Sequence, residues 1–405
     1  MLGVDELPAG WSRFCPDGAR VAHSDLTRTL HSGPDLARDP SPVASLSALQ
    51  GLSRELTKFA ESPDRALFMR RRRWARRTRA KGIARWVGPS ASPAVGRIAR
   101  CGEAVGSEVV IKSVGGRCFP VGVRSCGSVW SCPVCSTAIR TRREVELNLG
   151  AQRWVDRGGS LAMVTLTLRH SAEMSLGSSL NGLLGSFRVM GGRGAWRRLR
   201  KLCGGVVRAL EVTTGPNGWH PHLHALLFVR PGVDRAAIEA AADGVVTEWR
   251  SLVSERVGLT PSVERGVVVT WFGGDAGVAA KYVTKVAKEL TQSDSKSGRD
   301  PFSLLDAPRG DSVAVASWLE YVEAMAGRQS IAWSKGLRDV LQLGDEVPDE
   351  LVADEWVADD GEVVELVAVV ARNRWNELVR DGQAFEYLRR LEVRLEVSGQ
   401  RWRRE

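Results

Sequence analysis

Three histidines at alternate positions, His220, His222 and His224, stand in the run Trp-His-Pro-His-Leu-His-Ala-Leu-Leu-Phe at residues 219–228. An extended strand turns successive side chains to opposite faces, so all three imidazoles project to one side, with Pro221 and Leu223 on the other. Imidazole ligates divalent metals readily, and three in register form a metal platform. The plainer alternative is a half-buried strand whose histidines are solvated or bonded to backbone. A lone histidine favours that alternative; three in register do not. Glu211 lies on the preceding strand, and counting back through the turn sets it opposite the His222–His224 pair. A carboxylate beside two imidazoles suits Mg2+ or Mn2+ better than a closed zinc tetrahedron.

Downstream, residues 278–290 read Val-Ala-Ala-Lys-Tyr-Val-Thr-Lys-Val-Ala-Lys-Glu-Leu. On a helix Tyr282 and Lys285 share a face, with Lys281 and Lys288 flanking. Neighbouring ammonium groups favour the phenolate and attract a phosphate. A tyrosine on a basic helix is by itself a packing residue, and the histidine strand is what gives Tyr282 chemical weight.

A second group is built from sulfur. Cys101-Gly102, Cys118, Cys126 and Cys132-Pro-Val-Cys135 fall within 35 residues. Cys-Pro-x-Cys makes a knuckle turn whose backbone amides bond the thiolates, and four thiolates close a structural Zn2+ site. Spacing alone leaves Cys101 and Cys118 as alternatives for the fourth position. Seven cysteines, an odd number with a cluster, argue against a disulfide framework and for a reducing compartment.

These residues need elements to hold them. Leu161–Leu168 is a strand by alternation and β-branched content, and Leu176–Leu202 is mostly helical with a basic second half. Val206–Thr214 and His220–Val229 are strands joined by the turn Gly215-Pro216-Asn217-Gly218, hence an antiparallel hairpin. Ala236–Val257 is a helix, Gly266–Phe272 a strand, and 276–290 a helix. Strand, helix, hairpin, helix, strand, helix describes an α+β domain around one antiparallel sheet. The expected division is a loosely ordered region with a basic helix at 1–95, a Cys-rich zinc module at 96–150, the sheet domain at 151–292, and a helical, acidic region at 293–405.

Charge suggests the partner. The 405 residues carry a net charge of +10, which favours a polyanion, nucleic acid first. Between Arg65 and Arg85 there are ten Lys or Arg and no acid, with Trp74 and Trp86 interleaved. Arg70, Arg71, Arg72, Arg73, Arg76 and Arg77 from this run, together with Arg140 and Arg143 after the cysteines, are read as phosphate contacts. Asp339–Ala371 holds eleven acids and no base and is read as a solvated stretch. No stretch is long and apolar enough to span a bilayer, and the N-terminus has no basic, then apolar signal pattern, so a cytoplasmic protein without a membrane partner is expected.

With these elements assembled, the chain resembles the rolling-circle plasmid replication initiators of the HUH endonuclease superfamily. Val164-Thr165-Leu166-Thr167-Leu168 resembles their first motif, Trp219–Phe228 with Glu211 the metal motif, and Lys281-Tyr282-Val283-Thr284-Lys285 the nucleophile motif. Tyr282 follows the histidines, as in replication initiators; conjugative relaxases usually place it before them. The resemblance implies a divalent cation on His222, His224 and Glu211 or His220, attack by Tyr282 on the scissile phosphate, and Lys285 orienting that phosphate. It implies plasmid origin DNA as substrate, single-stranded or hairpin at the nick, and admits a host helicase and polymerase as partners. The family's cysteine pattern selects Cys101, Cys126, Cys132 and Cys135. A departure is Val278, where members of the nearest subgroup carry a glutamate used in termination; Asp275 and Glu289 are the nearest acids in sequence. Other readings are a non-catalytic, zinc-dependent DNA-binding regulator and a transposase or relaxase of the same superfamily.

Overall fold

A computed structural model of the chain describes residues 63–88, 92–273, 299–354 and 363–398. In chain order its elements are α1 Pro63–Val87, α2 Pro93–Ala99, β1 Glu108–Val114, β2 Arg117–Val121, α3 Pro133–Asp156, β3 Ser160–Thr167, α4 Leu176–Gly191 and α5 Gly194–Lys201. Then come β4 Cys203–Gly215, β5 Gly218–Val229, α6 Arg235–Val257, α7 Val263–Gly266, β6 Val267–Gly273, a 3-10 turn Pro301–Asp306, α8 Ser312–Met325 and β7 Ile331–Trp333. The chain continues through α9 Leu337–Val340, α10 Asp349–Asp354, β8 Glu365–Ala371, α11 Arg372–Arg380 and α12 Ala384–Ser398.

Five strands form one sheet in the order β6-β3-β5-β4-β7, with every neighbouring pair antiparallel. Its centre is the β4–β5 hairpin, closed by Pro216 and Asn217 between paired Gly215 and Gly218. Gly218 has φ +84°, and a Cβ there would lie 3.1 Å from Ala172 Cα. Only glycine lets the turn take this conformation while the chain after β3 presses against it.

Alternation sorts the sheet into two faces. Val164 and Leu166, Leu210 and Val212, and Leu223, Ala225 and Leu227 face α4 and α6, packing on Leu180, Leu183, Val245 and Trp249. On the opposite face Leu161, Met163, Val207, Ala209, Leu226 and Phe228 meet the second half of α3, through Leu147, Ala151, Trp154 and Val155. Trp154 sits edge-on to Phe228 at 6.0 Å and donates to the Val229 carbonyl at 2.7 Å, so its polar edge is satisfied in the core. Burying each such aromatic or leucine side chain contributes about 1.5–3 kcal/mol. Covering both faces is what lets the strands carry nearly continuous apolar runs away from the histidines.

A smaller sheet, β2-β1-β8, pairs the Cys-rich segment with the C-terminal region. Its core holds Val109, Ile111, Cys118, Val370, Trp375, Leu378 and Leu388. Two expectations change here. The C-terminal region supplies strands as well as helices, and residues 365–371 of the acidic stretch form β8 and are paired rather than simply solvated. The boundary drawn at residue 150 falls inside α3, whose first half bears cysteines and whose second half supports the larger sheet.

Candidate functional site

The row on β5 that carries Leu226 and Phe228 continues toward the hairpin turn as His224, His222 and His220. One face of the sheet is therefore apolar at one end and polar at the other. Register fixes the neighbours: Glu211 on β4 is directly opposite His222, and Thr165 and Thr167 on β3 are opposite His224 and His222. Directly opposed residues share a face, so three kinds of polar side chain, imidazole, carboxylate and hydroxyl, converge on one patch.

His224 is gripped from both sides. Its Nε2 is 2.8 Å from Glu211 Oε2, and its Nδ1 is 3.1 Å from Thr165 Oγ1. With Glu211 ionised, Nε2–H donates to the carboxylate and the threonine hydroxyl donates to Nδ1, which fixes ring and tautomer together. Nε2 and Oε2, donor and acceptor of this bond, are also two atoms that could ligate a metal. His222, also buried, has no hydrogen-bond partner for Nδ1 among the described residues. An orphaned ring nitrogen beside a carboxylate is what a metal site without its ion presents.

A fourth imidazole joins the row. His170 follows β3 directly, and its ring centroid lies 4.3 Å from that of His220, which lies 4.1 Å from His222. Burial, and then His170, push His220 down to about 4. Burial, followed by His220, His224 and His170, drives His222 well below the ordinary histidine range. These rings are neutral at pH 7, the form that binds metal. The His222 and His224 rings stand 6.1 Å apart, and the row's ligand atoms do not close on one point; among the described residues only the four cysteines do so. His170, Thr165 and Thr167 were not picked out as site residues from sequence, although the threonines share their strand parity and His170 comes three residues after Thr167.

Tyr282, Lys281 and Lys285 lie outside the described residues, as do Val278, Asp275 and Glu289. The chain's other two tyrosines are described. Tyr321 is buried on the opposite face, stacked on Trp219 at 5.8 Å, and burial raises its pKa. Tyr387 packs against the core of the small sheet.

The sulfur group is closed. Cys101, Cys126, Cys132 and Cys135 are all buried, with their sulfurs within 4.8 Å of one another. Cys101 lies 3.7 Å from both Cys132 and Cys135, and Cys126 lies 3.7 Å from Cys135. A tetrahedron with Zn–S bonds of about 2.3 Å has edges of about 3.8 Å, so the four thiols can hold a zinc ion. Cys132 occupies the N-cap position of α3 and Cys135 sits in its first turn, where the helix dipole favours a thiolate at Cys135. Hydrogen bonds from Cys101, Cys126 and Cys132 hold Cys135 well below the ordinary thiol range. Gly102, at φ +84°, lets the Cys101 turn close against the Arg77 guanidinium. Cys118 lies elsewhere, in the small core, where burial and then Glu392 push its thiol up to about 11.

The arginines read as phosphate contacts are largely engaged inside the protein. Arg70 bonds Glu392 at 2.5 Å and the Cys118 carbonyl at 2.6 Å. Arg72 and Arg76 share Asp306, and Arg76 also reaches Asp300. Arg71 pairs with Glu386 at 2.9 Å, and Arg77 lies over the Trp74 ring at 4.0 Å. Arg143 is buried between Glu146 and Asp349, and Arg140 lies over Trp130 at 5.9 Å. Arg70, Arg72, Arg76 and Arg143 neutralise carboxylates that join α1 and α3 to the C-terminal half. Lys281 is outside the described residues.

Comparison with known proteins adds three findings. A family model described as replication protein matches residues 122–238, a span that holds Cys126, Cys132, Cys135, Glu211 and all three histidines of β5. Protein rep of Streptomyces lividans is 31% identical, over 70% of this chain and 78% of that protein. A neomycin resistance protein of Streptomyces cyanogenus is 30% identical over a shorter stretch, 30% of this chain and 34% of that protein. No solved structure matches.

Proposed function

Because this chain belongs to the replication-protein family of plasmid Rep initiators, we propose that it starts rolling-circle replication by nicking one strand at its plasmid's double-strand origin. The observation that carries the reading is the Glu211–His224 contact beside the unpartnered Nδ1 of His222. Mg2+ or Mn2+ on His222, His224 and Glu211 or His220 would polarise the scissile phosphate as a Lewis acid.

The remaining work falls to the chain. Tyr282 Oη attacks phosphorus in line, a P–Oη bond forms, and the P–O3′ bond breaks. The tyrosine keeps the 5′-phosphate as an ester, and the departing 3′ oxygen takes a proton to become the hydroxyl that primes synthesis. Lys285 orients the phosphate and offsets its developing charge. Attack by a 3′-hydroxyl on the phosphotyrosine reverses these steps and rejoins the strand at termination.

Two features support Tyr282 as the nucleophile. The other tyrosines are packed in cores away from the histidine row. The described residues that flank 274–298 also lie on the sheet. The described chain leaves at Gly273, level with Leu161, and returns at Arg299, which bridges Thr214 next to the residue paired with His220. The zinc site, enclosed by core residues, would pin the start of α3 and so the layer beneath the sheet.

The test is nicking of a supercoiled plasmid that carries the origin. Wild-type protein with Mn2+ should give relaxed circles with protein attached, and Tyr282→Phe should give none. Equal nicking by Tyr282→Phe removes Tyr282 from the mechanism.

A further inference from the structure

A second basic run behaves unlike the first. Between Glu173 and Glu211 the sequence has seven Arg or Lys and no acid, and five of the seven fall at residues 193–201. There α5 buries Ala195, Trp196 and Leu199 and leaves Arg197, Arg198 and Lys201 exposed, with Arg193 exposed at its N-cap. The arginines of the first run and of α3 meet carboxylates, as Arg70, Arg76 and Arg143 do. Arg193, Arg197, Arg198 and Lys201 make no ion pair among the described residues. Glu248 on α6 accepts instead from the Ala195 amide, through one oxygen, at 3.2 Å.

Arg198, Arg200 and Lys201 suit the last turn, but the rest of this charge works against the helix that bears it. Arg197 and Lys201 are like charges at i, i+4, which repel. Arg193 and Arg197 crowd the N-terminal end, where the helix dipole disfavours cations. Solubility alone does not need such a concentration on two turns. Arg230 stands beside the group, its amide bonded to the Leu202 carbonyl and its Nε to the Cys203 carbonyl, and it extends the patch past the end of β5.

We propose that this ledge, Arg193, Arg197, Arg198, Lys201 and Arg230, binds the phosphate backbone of duplex DNA beside the nick. The reading rests on the chain's being a DNA-nicking initiator and adds where the unmelted duplex lies. The ledge and the histidine row are at opposite ends of β5. Eight residues from His222 to Arg230, at about 3.3 Å each, separate them by roughly 26 Å. That is about eight base pairs at about 3.4 Å per step, so one end of the sheet takes melted strand while the other holds its flanking duplex.

The test uses full-length protein and two probes: a 30-base-pair duplex of arbitrary sequence, and a single-stranded oligonucleotide carrying the nick site. Each lost phosphate contact reduces the slope of log affinity against log salt by about 0.9, so Arg197→Ala/Arg198→Ala/Lys201→Ala should lower the slope by about 2.7 and duplex affinity at 0.15 M salt about 100-fold. Cleavage of the single-stranded oligonucleotide should stay at the wild-type rate. A second variant, Arg193→Ala/Lys201→Ala, changes only exposed positions and should lower the slope by about 1.8. Unchanged slopes in both variants overturn the proposal. Wild-type protein that binds duplex with the expected slope but fails to cut the oligonucleotide would instead count against the nicking reading.

Discussion

Glu211 and His224 meet across neighbouring antiparallel strands, carboxylate Oε2 to imidazole Nε2 at 2.8 Å, while Thr165 holds the other ring nitrogen at 3.1 Å. Glu211 faces His222 in register yet bonds His224, the next residue of the same row. Substituting Glu211→Gln keeps the shape and removes the charge. Mn2+ affinity, read from the metal dependence of nicking, should fall by about 10–100-fold. Wild-type metal dependence in that variant would exclude Glu211 as a ligand.

The four-cysteine cluster includes Cys101 and leaves out Cys118, the two that sequence spacing leaves as alternatives. Elemental analysis of purified protein should find zinc in the wild type and in Cys118→Ser, and little in Cys101→Ser or Cys132→Ser. Zinc retained by Cys101→Ser would displace it from the site.

Arg76 donates to Asp306 from Nη2 at 2.6 Å and reaches Asp300 at 3.3 Å, with its own side chain only 9% exposed. Breaking a fully buried pair costs about 3–5 kcal/mol, and Asp306 is one-third exposed, so Arg76→Ala should lower stability by about 2–3 kcal/mol. Arg71→Ala, which removes an exposed pair with Glu386, should cost less than about 1 kcal/mol. Urea denaturation checks both, and equal small losses would mean that Arg76 has no structural role.

Acid should unfold the metal-free protein through its histidines. His220 is held at about 4 in the fold, while an unfolded histidine titrates near about 6.5. Between those values the unfolded chain binds the additional proton, so stability rises with pH across the window. It is complete above about 6.5 and is lost progressively as pH falls toward 4. Thermal midpoints of chelated protein across pH 4–7.5 should follow this course, with a shallower fall in His220→Asn. An identical slope in that variant would remove His220 as a contributor.

Much of the site was legible from alternation alone. The strands around Thr165, Glu211 and the histidines obey period-two patterning, and a two-residue turn lets register be counted, so Glu211 was set opposite the histidine pair. The small sheet was not legible. β1 pairs with β8 about 250 residues later, and β8 lies within an acidic stretch whose charges mask its valines. The internal ion pairs of the arginine run were hidden for a related reason. Charge density along a segment shows that cations are present, but not that Asp306, Glu386 and Glu392 lie folded against them. His170 was missed because a single histidine after a strand carries no period, and only the close approach at Gly218 brings it to His220.

The most direct test is mass spectrometry of the adduct formed when protein, Mn2+ and a single-stranded oligonucleotide spanning the nick site are mixed and quenched. The account predicts a peptide containing Tyr282 esterified to the 5′-phosphate of the downstream fragment, with a free 3′-hydroxyl on the upstream fragment. Cleavage without a covalent adduct, or an adduct on Tyr321, Tyr387 or any other side chain, would contradict it.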